Sequence, residues 1–224
     1  KQANAINLLK KNQTISRSNY DHVTGKFTKP ELVEPKEFIA ISGLHTFYLP
    51  KLRKIMDFKI YLETDEILRT HWKILRDTSK RGYTNEKIIE QLKNRYNDSK
   101  KYIYPQKNFA DLVLNFFPIE SFSPGKKDAN INIGLKIEVN ASIYLENLVE
   151  SLKSNSISWD YNDDLNFQYI TLKEPPLNNF KTLAFNTIEN LNEIVDVNAK
   201  WAKGYDGFID YLCLKIISEK LKED

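Results

Sequence analysis

The sequence predicts an α/β protein in which helices flank a mainly parallel β-sheet. Three short apolar runs have the length and composition of buried strands, and they lie at Phe38–Ser42, Phe58–Leu62 and Ala110–Phe116. Segments with helical periodicity separate these runs. Strands that alternate with helices need crossover connections, so this order of elements favours parallel pairing.

Local signals predict the helices in the first half of the chain. Pro50 suits the first turn of a short helix, Asp65 or Thr64 can cap a long one that ends at Gly82, and Thr84 can cap the next. The polar residues 12–19 are expected to form a loop, and residues 20–35 are expected to cross with at most a short hairpin, because they contain Gly25, Pro30 and Pro35. The predicted helices span residues 3–11, 50–56, 65–81 and 84–98.

The second half of the chain has a different pattern after a linker of serine, proline, glycine and lysine at residues 121–130. Strands are predicted at residues 131–139, 156–161 and 167–172. Helices are predicted at residues 143–152, 185–198 and 207–221. We therefore expect an α/β portion at residues 1–120 and a carboxyl-terminal α+β extension at residues 121–224, continuous with the same sheet.

Composition limits the classes of function. The chain has 224 residues, of which 41% are hydrophobic, and a formal net charge of +3. It can therefore form a core, and no apolar run is long enough to cross a membrane. The charge is too small to indicate a nucleic-acid partner. A single cysteine, Cys213, cannot form an internal disulfide, so a reducing, cytoplasmic location is expected.

The group of charged residues that most clearly suggests a binding site lies on the helix predicted at residues 65–81. Lys73 and Arg76 are neighbours on one helical face, and Arg81 follows at the end of the helix, beside Gly82. Such a group can bind phosphate, because guanidinium groups donate paired hydrogen bonds to oxyanions. The alternative interpretation is a solvated basic surface. Asp77 lies among these residues and is a potential partner for Lys73 or Arg81.

The positions of the histidines and glycines argue against a metal site and a P-loop, and they allow a ligand-binding site near His22 and His45. His22 lies in a loop and His45 follows a predicted strand, where open α/β sheets place ligand-binding groups, whereas His71 lies within a helix. No pair of histidine or cysteine has metal-ligand spacing, so no metal site is predicted. No two of the seven glycines are five residues apart, which excludes a phosphate-binding P-loop from this chain.

Six segments, taken in order, resemble the phosphoribulokinase/uridine kinase family of P-loop kinases over residues 1–117. Residues 131–224 resemble more faintly the carboxyl-terminal part of the phosphoribulokinases of oxygenic phototrophs, through residues 156–159 and the closing helix. The six segments are Tyr20-Asp21-His22-Val23-Thr24-Gly25, Gly43-Leu44-His45, Asp57–Leu62, Lys73-Ile74-Leu75-Arg76-Asp77 with Arg81-Gly82, Tyr102-Ile103 with Pro105-Gln106-Lys107, and Ala110-Asp111.

The resemblance implies a P-loop-kinase-like sheet, ATP and Mg²⁺ as cofactors, and a small-molecule phosphate acceptor. It also implies roles for individual residues. Those expected to face phosphates as catalytic groups are Lys73, Arg76 and Arg81. Those expected on the substrate side are Tyr20, His22, His45 and Arg95, and those near the nucleotide are Gln106 and Lys107.

Two departures from the family pattern leave alternatives open. Ser42 stands where the family has a glutamate that helps to hold magnesium. The family's P-loop, first strand and catalytic aspartate precede the Tyr-x-His segment by more residues than this chain has, so we expect that portion to be absent here. The chain is then part of a kinase, a non-catalytic module that binds a phosphorylated metabolite, or an assembly module. The expected protein partners are further copies of this chain, in a homo-oligomer, or the remainder of the parent polypeptide.

The lack of a P-loop generates a prediction about activity. The 224-residue chain alone should show no ATP-dependent phosphotransfer, because no backbone nest for the β- and γ-phosphates can form. A coupled assay with several pentose phosphates and nucleosides measures this. Turnover that persists after contaminating kinases have been removed would contradict the prediction.

Overall fold

The computed structural model describes residues 2–21, 24–127, 130–152 and 157–223, which belong to two compact units. The first unit comprises Lys1–Asp57 with Tyr102–Phe109. The second comprises Phe58–Lys101 with Ala110–Asp224.

The first unit is built from short elements around a small core. Its helices are α1 (Gln2–Lys10), α2 (Pro50–Arg53) and a 3₁₀ helix at Tyr104–Phe109. Its strands form two antiparallel pairs, β1 (Ile15–Arg17) with β4 (Glu31–Val33) and β2 (Tyr20–Asp21) with β3 (Lys26–Phe27). The buried apolar side chains are Ile6, Leu9, Phe47 and Leu52.

The strand predicted at Phe38–Ser42 is wrong. These residues form no ladder with any described residue, and Phe38 is half exposed. A strand is defined by hydrogen bonds to a neighbour, so a short apolar run that has no neighbour stays irregular. The apolar composition of this run is typical of a strand, but strand formation also requires a pairing partner from elsewhere in the chain.

The second unit contains a five-stranded sheet in the order β5–β6–β7–β9–β8. Its strands are β5 (Ile60–Thr64), β6 (Leu112–Pro118), β7 (Ile133–Asn140), β8 (Ile157–Tyr161) and β9 (Phe167–Leu172). Helices flank this sheet, which confirms the α/β class. The expectation of a mainly parallel sheet is wrong for the described strands, since only β5 and β6 pair in parallel and the other three ladders are antiparallel.

The direction of pairing follows from the connections. Helices α3 (Glu66–Arg81) and α4 (Asn85–Asp98) lie between β5 and β6 and provide the crossover that a parallel pair needs. The described part of the linker between β6 and β7 contains no helix, and β7 returns antiparallel to β6. The sheet therefore contains strands from both sides of residue 120. The predicted domain division at that residue stays a prediction.

One face of this sheet carries the main core. Alternate residues of the strands point to this face, as the period of two in a strand requires. Four helices contribute to the same cluster: α5 (Glu146–Leu152), α6 (Phe180–Thr187), α7 (Leu191–Ile194) and α8 (Gly204–Glu223). The strand residues that belong to this core cluster are Leu112, Leu114, Leu135, Ile137, Val139, Ile170 and Leu172.

The helix predicted at residues 185–198 is wrong in its bounds, because two shorter helices replace it. Helix α6 begins earlier, after Asn179, whose side chain accepts a hydrogen bond from the Thr182 N–H at 3.1 Å. The backbone becomes extended at Ile188 and ends this helix. Helix α7 follows from Leu191, so the apolar periodicity of the segment belongs to two helices.

The caps predicted for α3 and α4 are confirmed. The Asp65 carboxylate accepts from the Ile67 N–H at 2.8 Å, and the Thr84 hydroxyl accepts from the Lys87 N–H at 3.4 Å. The Asp65 N–H donates to the carbonyl of Phe116 at 2.9 Å, which ties the start of α3 to β6. Gly82 ends α3 with a φ of +65°, a conformation that glycine adopts without strain.

Gly207 in α8 allows a close approach that generates a stability prediction. A Cβ atom there would lie 2.4 Å from the carbonyl oxygen of Ala202 and 2.8 Å from the Phe180 ring. Gly207→Ala should therefore lower the free energy of unfolding by about 1–3 kcal/mol, the usual cost of overpacking. Urea denaturation measures this. Asp210→Ala, at an exposed position of the same helix, is the matched control and should change stability little. Equal stability of both variants would contradict the packing argument.

Candidate anion site on helix α3

Asp77 is the centre of the basic cluster on α3. Its side chain is fully buried, and three cations contact its carboxylate. The Lys73 ammonium lies 2.8 Å from Oδ2, the Arg76 Nε lies 2.8 Å from Oδ1, and the Arg81 Nη1 lies 3.4 Å from Oδ1. Lys73 and Arg81 are one helical turn before and after Asp77, which brings all of them to one face.

These contacts keep Asp77 ionised. Hydrogen bonds from Arg76 and from Lys73 hold the pKa of Asp77 well below its usual range, although burial acts in the opposite direction. The same hydrogen bond to Asp77 raises the pKa of Arg76. A buried carboxylate is costly unless it is paired and hydrogen-bonded, and this one satisfies both conditions.

The cluster retains positive charge and exposes it. Three cations against one carboxylate leave two positive charges. The side chains of Arg76 and Arg81 are 53% and 54% exposed, whereas that of Lys73 is 14% exposed. Arg76 contacts Asp77 through Nε, so this contact leaves its two terminal nitrogens unused. Two guanidinium groups are thus fixed at one end and open to solvent at the other, which suits an oxyanion ligand.

Two backbone hydrogen bonds and one side-chain hydrogen bond complete the local structure of the cluster. The carbonyl of Asp77 accepts hydrogen bonds from the N–H groups of Gly82 and Tyr83, so the residue at the centre of the cluster also ends the helix. The Lys73 ammonium donates to Oε1 of Gln91 on α4 at 3.2 Å. Gln91 was not predicted from the sequence. Its signal is a polar residue three positions after Ile88, on the buried face of α4.

Gln106, predicted near the nucleotide, is buried in the first unit and bonded to the backbone. Its Nε2 donates to the carbonyls of Leu44 and Tyr102 at 2.8 and 2.7 Å, and its Oε1 accepts from the Phe47 N–H at 2.7 Å. The carboxamide thereby fixes the loop that carries His45. This contact set is a positioning role, and nucleotide binding by Gln106 stays a prediction.

The loop at residues 43–48 is held from several sides and presents His45 to solvent. The Thr46 hydroxyl donates to the Gly43 carbonyl at 2.8 Å, and Arg53 donates to the carbonyls of Phe47 and Tyr48 at 2.9 and 3.1 Å. The His45 ring lies 6.1 Å from that of Tyr48, edge to face.

The remaining predicted site residues are distributed over both units. In the first unit, Tyr20 is half exposed with its ring 5.4 Å from Phe27, Lys107 is half-buried, and Ser42 is exposed. His22 lies outside the described residues. In the second unit, Arg95 is exposed on α4. The structure therefore brings together Lys73, Arg76 and Arg81, and the substrate-side roles of the other residues stay predictions.

The described residues contain neither a cluster suited to a metal ion nor a helix suited to a membrane. In the described ranges, no group of three or more histidine, cysteine, aspartate or glutamate side chains is arranged to hold a metal ion. His71 is buried, and its Nδ1 accepts from the Gly125 N–H at 3.0 Å. None of the described helices combines the length and apolarity that a bilayer crossing needs.

The lowered pKa of Asp77 generates a prediction about stability and pH. Asp77→Asn should lower the free energy of unfolding by about 3 kcal/mol near pH 7, because the buried carboxylate and its partners lose their attraction. The folded pKa lies below the unfolded value of about 3.9, so the stabilisation is present above that pH and is lost as the pH falls below it. The difference between wild type and variant should thus shrink in acid.

Urea denaturation at a series of pH values measures both effects. Asp163→Asn, which removes an exposed carboxylate, is the matched control and should change stability little at any pH. A difference between wild type and Asp77→Asn that stays constant down to acidic pH would contradict the assigned role of the carboxylate.

Comparison with solved structures supports the fold. The chain is similar to phosphoribulokinase from Rhodobacter spheroides, with a TM-score of 0.56 and 16% sequence identity. The match covers 99% of this chain and 73% of that chain. At this identity the likeness concerns the fold alone.

Comparison of sequences gives nearer relatives. The chain is 41% identical over 113 residues to phosphoribulokinase of Synechocystis sp., which covers 50% of this chain and 34% of that protein. It is 36% identical over 115 residues to the chloroplastic phosphoribulokinase of Spinacia oleracea, covering 51% of this chain and 29% of that protein. Uridine kinase of Listeria monocytogenes is 34% identical over 116 residues, covering 49% of this chain and 53% of that protein.

The matches cover about half of this chain and only part of each relative. They span about a third of the length of the phosphoribulokinases. The family model matches residues 2–123, which include the α3 cluster and more than half of the chain. The resemblance inferred from the six sequence segments is therefore confirmed, and the chain belongs to the phosphoribulokinase/uridine kinase family.

Proposed function

We propose that the chain is part of an ATP-dependent small-molecule kinase, in which α3 binds the phosphate groups. The observation that carries the proposal is the pair of half-exposed guanidinium groups of Arg76 and Arg81, anchored on the buried Asp77 carboxylate in a member of a kinase family. The reaction proposed is transfer of the γ-phosphoryl group of ATP to a hydroxyl of the acceptor.

The proposed contribution of α3 is electrostatic. Negative charge spreads over the oxygens of a phosphoryl group during its transfer, and preorganised donors stabilise that charge. Arg76 and Arg81 can donate paired hydrogen bonds to such oxygens, and Lys73 adds a positive charge next to them. Because Asp77 already holds these side chains, little reorganisation is needed when the phosphate arrives.

The family implies ATP, which supplies the phosphoryl group, and Mg²⁺. The described residues contain no cluster suited to a metal ion, and the neutral Ser42 occupies the position of the family carboxylate. These residues do not fit a magnesium site, so we assign no step of the mechanism to the metal. The roles proposed for Lys73, Arg76 and Arg81 depend only on their own charges and donors.

A sugar phosphate is the proposed acceptor. The chain is 41% identical to the Synechocystis phosphoribulokinase and 36% identical to that of Spinacia oleracea, against 34% for the Listeria uridine kinase. An acceptor that carries its own phosphate also gives the two excess positive charges a second anionic group to bind. Tyr20, His22, His45 and Arg95 are proposed to contact this acceptor.

Ser42 favours a second candidate, a non-catalytic module that binds a phosphorylated metabolite. A hydroxyl cannot replace the negative charge of a magnesium ligand. Both candidates predict binding of a sugar phosphate, but only the kinase predicts turnover by the natural gene product. An activity assay on that product therefore distinguishes them: binding without phosphotransfer supports the module.

Arg76→Ala tests the anion site. The variant should weaken binding of ATP or of a pentose phosphate roughly tenfold, because a charged hydrogen bond contributes about 1.5–3 kcal/mol. Isothermal titration calorimetry on the purified chain measures the dissociation constants. Lys80→Ala is the matched control, since it removes one positive charge from an exposed position of the same helix. Its effect should be small and should vanish at high salt.

Two results would contradict the anion site. One is an equal dissociation constant for wild type and Arg76→Ala with every ligand that binds. The other is an equal loss in Arg76→Ala and Lys80→Ala, which would indicate a general effect of charge and not a defined site. Thermal unfolding of each variant shows whether the fold is retained.

A further inference from the structure

We infer that Gln91 is a positioning residue of the anion site and that it acts through Lys73. This inference rests on the proposed function of the α3 cluster and goes beyond it, because Gln91 lies on a different helix. The contact that carries the inference joins the Lys73 ammonium to Gln91 Oε1 at 3.2 Å, across 18 residues of sequence.

Lys73 is held by two acceptors from two helices. Asp77 Oδ2 on α3 accepts at 2.8 Å, and Gln91 Oε1 on α4 accepts at 3.2 Å. An ammonium group has three N–H donors and no acceptor, so these contacts leave one donor for a ligand. A lysine side chain otherwise moves freely about its four-carbon stem. The second acceptor therefore restricts the direction in which the third donor points.

The position of Gln91 on α4 makes this contact part of the tertiary structure. Ile88, three residues earlier, is fully buried, and Gln91 lies half-buried on the same helical face. Helices α3 and α4 are joined by only three residues, 82–84, and Gly82 and Thr84 fix the two ends of that connection. The relative placement of Gln91 and Lys73 is thus set by two helix caps and a buried isoleucine.

The uncharged carboxamide of Gln91 preserves the net positive charge of the cluster. A carboxamide oxygen accepts a hydrogen bond without carrying charge, so Gln91 holds Lys73 and leaves the cluster with its two excess positive charges. A glutamate at this position would hold the ammonium equally well but would reduce the excess to one. The structure therefore assigns to Gln91 the task of orienting a cation while preserving attraction for a polyanion such as pyrophosphate.

A double-mutant cycle tests this role with inorganic pyrophosphate as the probe. Gln91→Leu removes the acceptor and should weaken binding roughly two- to tenfold, the range expected for one hydrogen bond. In a Lys73→Ala background, Gln91→Leu should cause no further loss, because Gln91 acts through Lys73. Asn94→Leu, a similar change at an exposed position of α4, is the matched control and should leave binding unchanged.

A second readout follows the lysine directly. In wild type the side-chain ¹H–¹⁵N signal of the Lys73 ammonium should be resolved, since hydrogen bonds slow its exchange with water. Gln91→Leu leaves only the Asp77 acceptor and should broaden and weaken this signal. Gln91→Glu retains an acceptor and should retain the signal, but should weaken pyrophosphate binding through its added charge. If Gln91→Leu fails to fold, Gln91→Glu tests the inference by itself: the Lys73 signal should be retained and pyrophosphate binding should be weaker.

Several outcomes would overturn the role of Gln91. They are unchanged pyrophosphate binding in Gln91→Leu, an equal loss in the Lys73→Ala background, an equal loss in Asn94→Leu, and an unaltered Lys73 signal in Gln91→Leu. If Arg76→Ala still weakens binding in those cases, only the role of Gln91 fails. If wild type binds neither pyrophosphate nor any phosphorylated ligand, the anion site fails and the role of Gln91 fails with it.

Discussion

The buried carboxylate of Asp77 is the constraint on which the candidate site depends. A lone ionised carboxylate in a protein interior costs several kcal/mol, so its neighbours must supply charge and hydrogen bonds. Lys73 and Arg76 donate hydrogen bonds to it and Arg81 adds a third positive charge, so Asp77 orients the three cations without a ligand. The Asp77 carbonyl also receives the bonds that end α3, so helix termination and site geometry have one origin.

The sheet determines where this helix starts. The N–H of Asp65 bonds to the carbonyl of Phe116 in β6, and the Asp65 side chain caps α3 from the same place. β6 is in turn fixed by a parallel ladder on one side and an antiparallel ladder on the other. The direction of α3 thus follows from the register of the central strands.

Features that depend on neighbours in sequence were predictable, and those that depend on distant partners were not. Asp65, Gly82 and Thr84 predicted the ends of α3 and α4, because a cap involves atoms within a few residues. The apolar run at Phe38–Ser42 gave a wrong strand, because a strand needs a pairing partner elsewhere in the chain. Gln91 was missed for the same reason, since its acceptor meets a lysine on another helix.

The three cations differ in solvent exposure, and this difference allows one group of residues both to stabilise the buried carboxylate and to bind a ligand. Lys73, the most buried, uses two of its three donors within the protein, so it serves mainly to retain charge and to hold the cluster together. Arg76 and Arg81 bind Asp77 at one edge and stay half exposed. The planar guanidinium group allows this arrangement, because its five donors point in fixed and different directions. The entropy of orienting the two arginines is thus lost during folding, and a phosphate that binds them meets donors already in place.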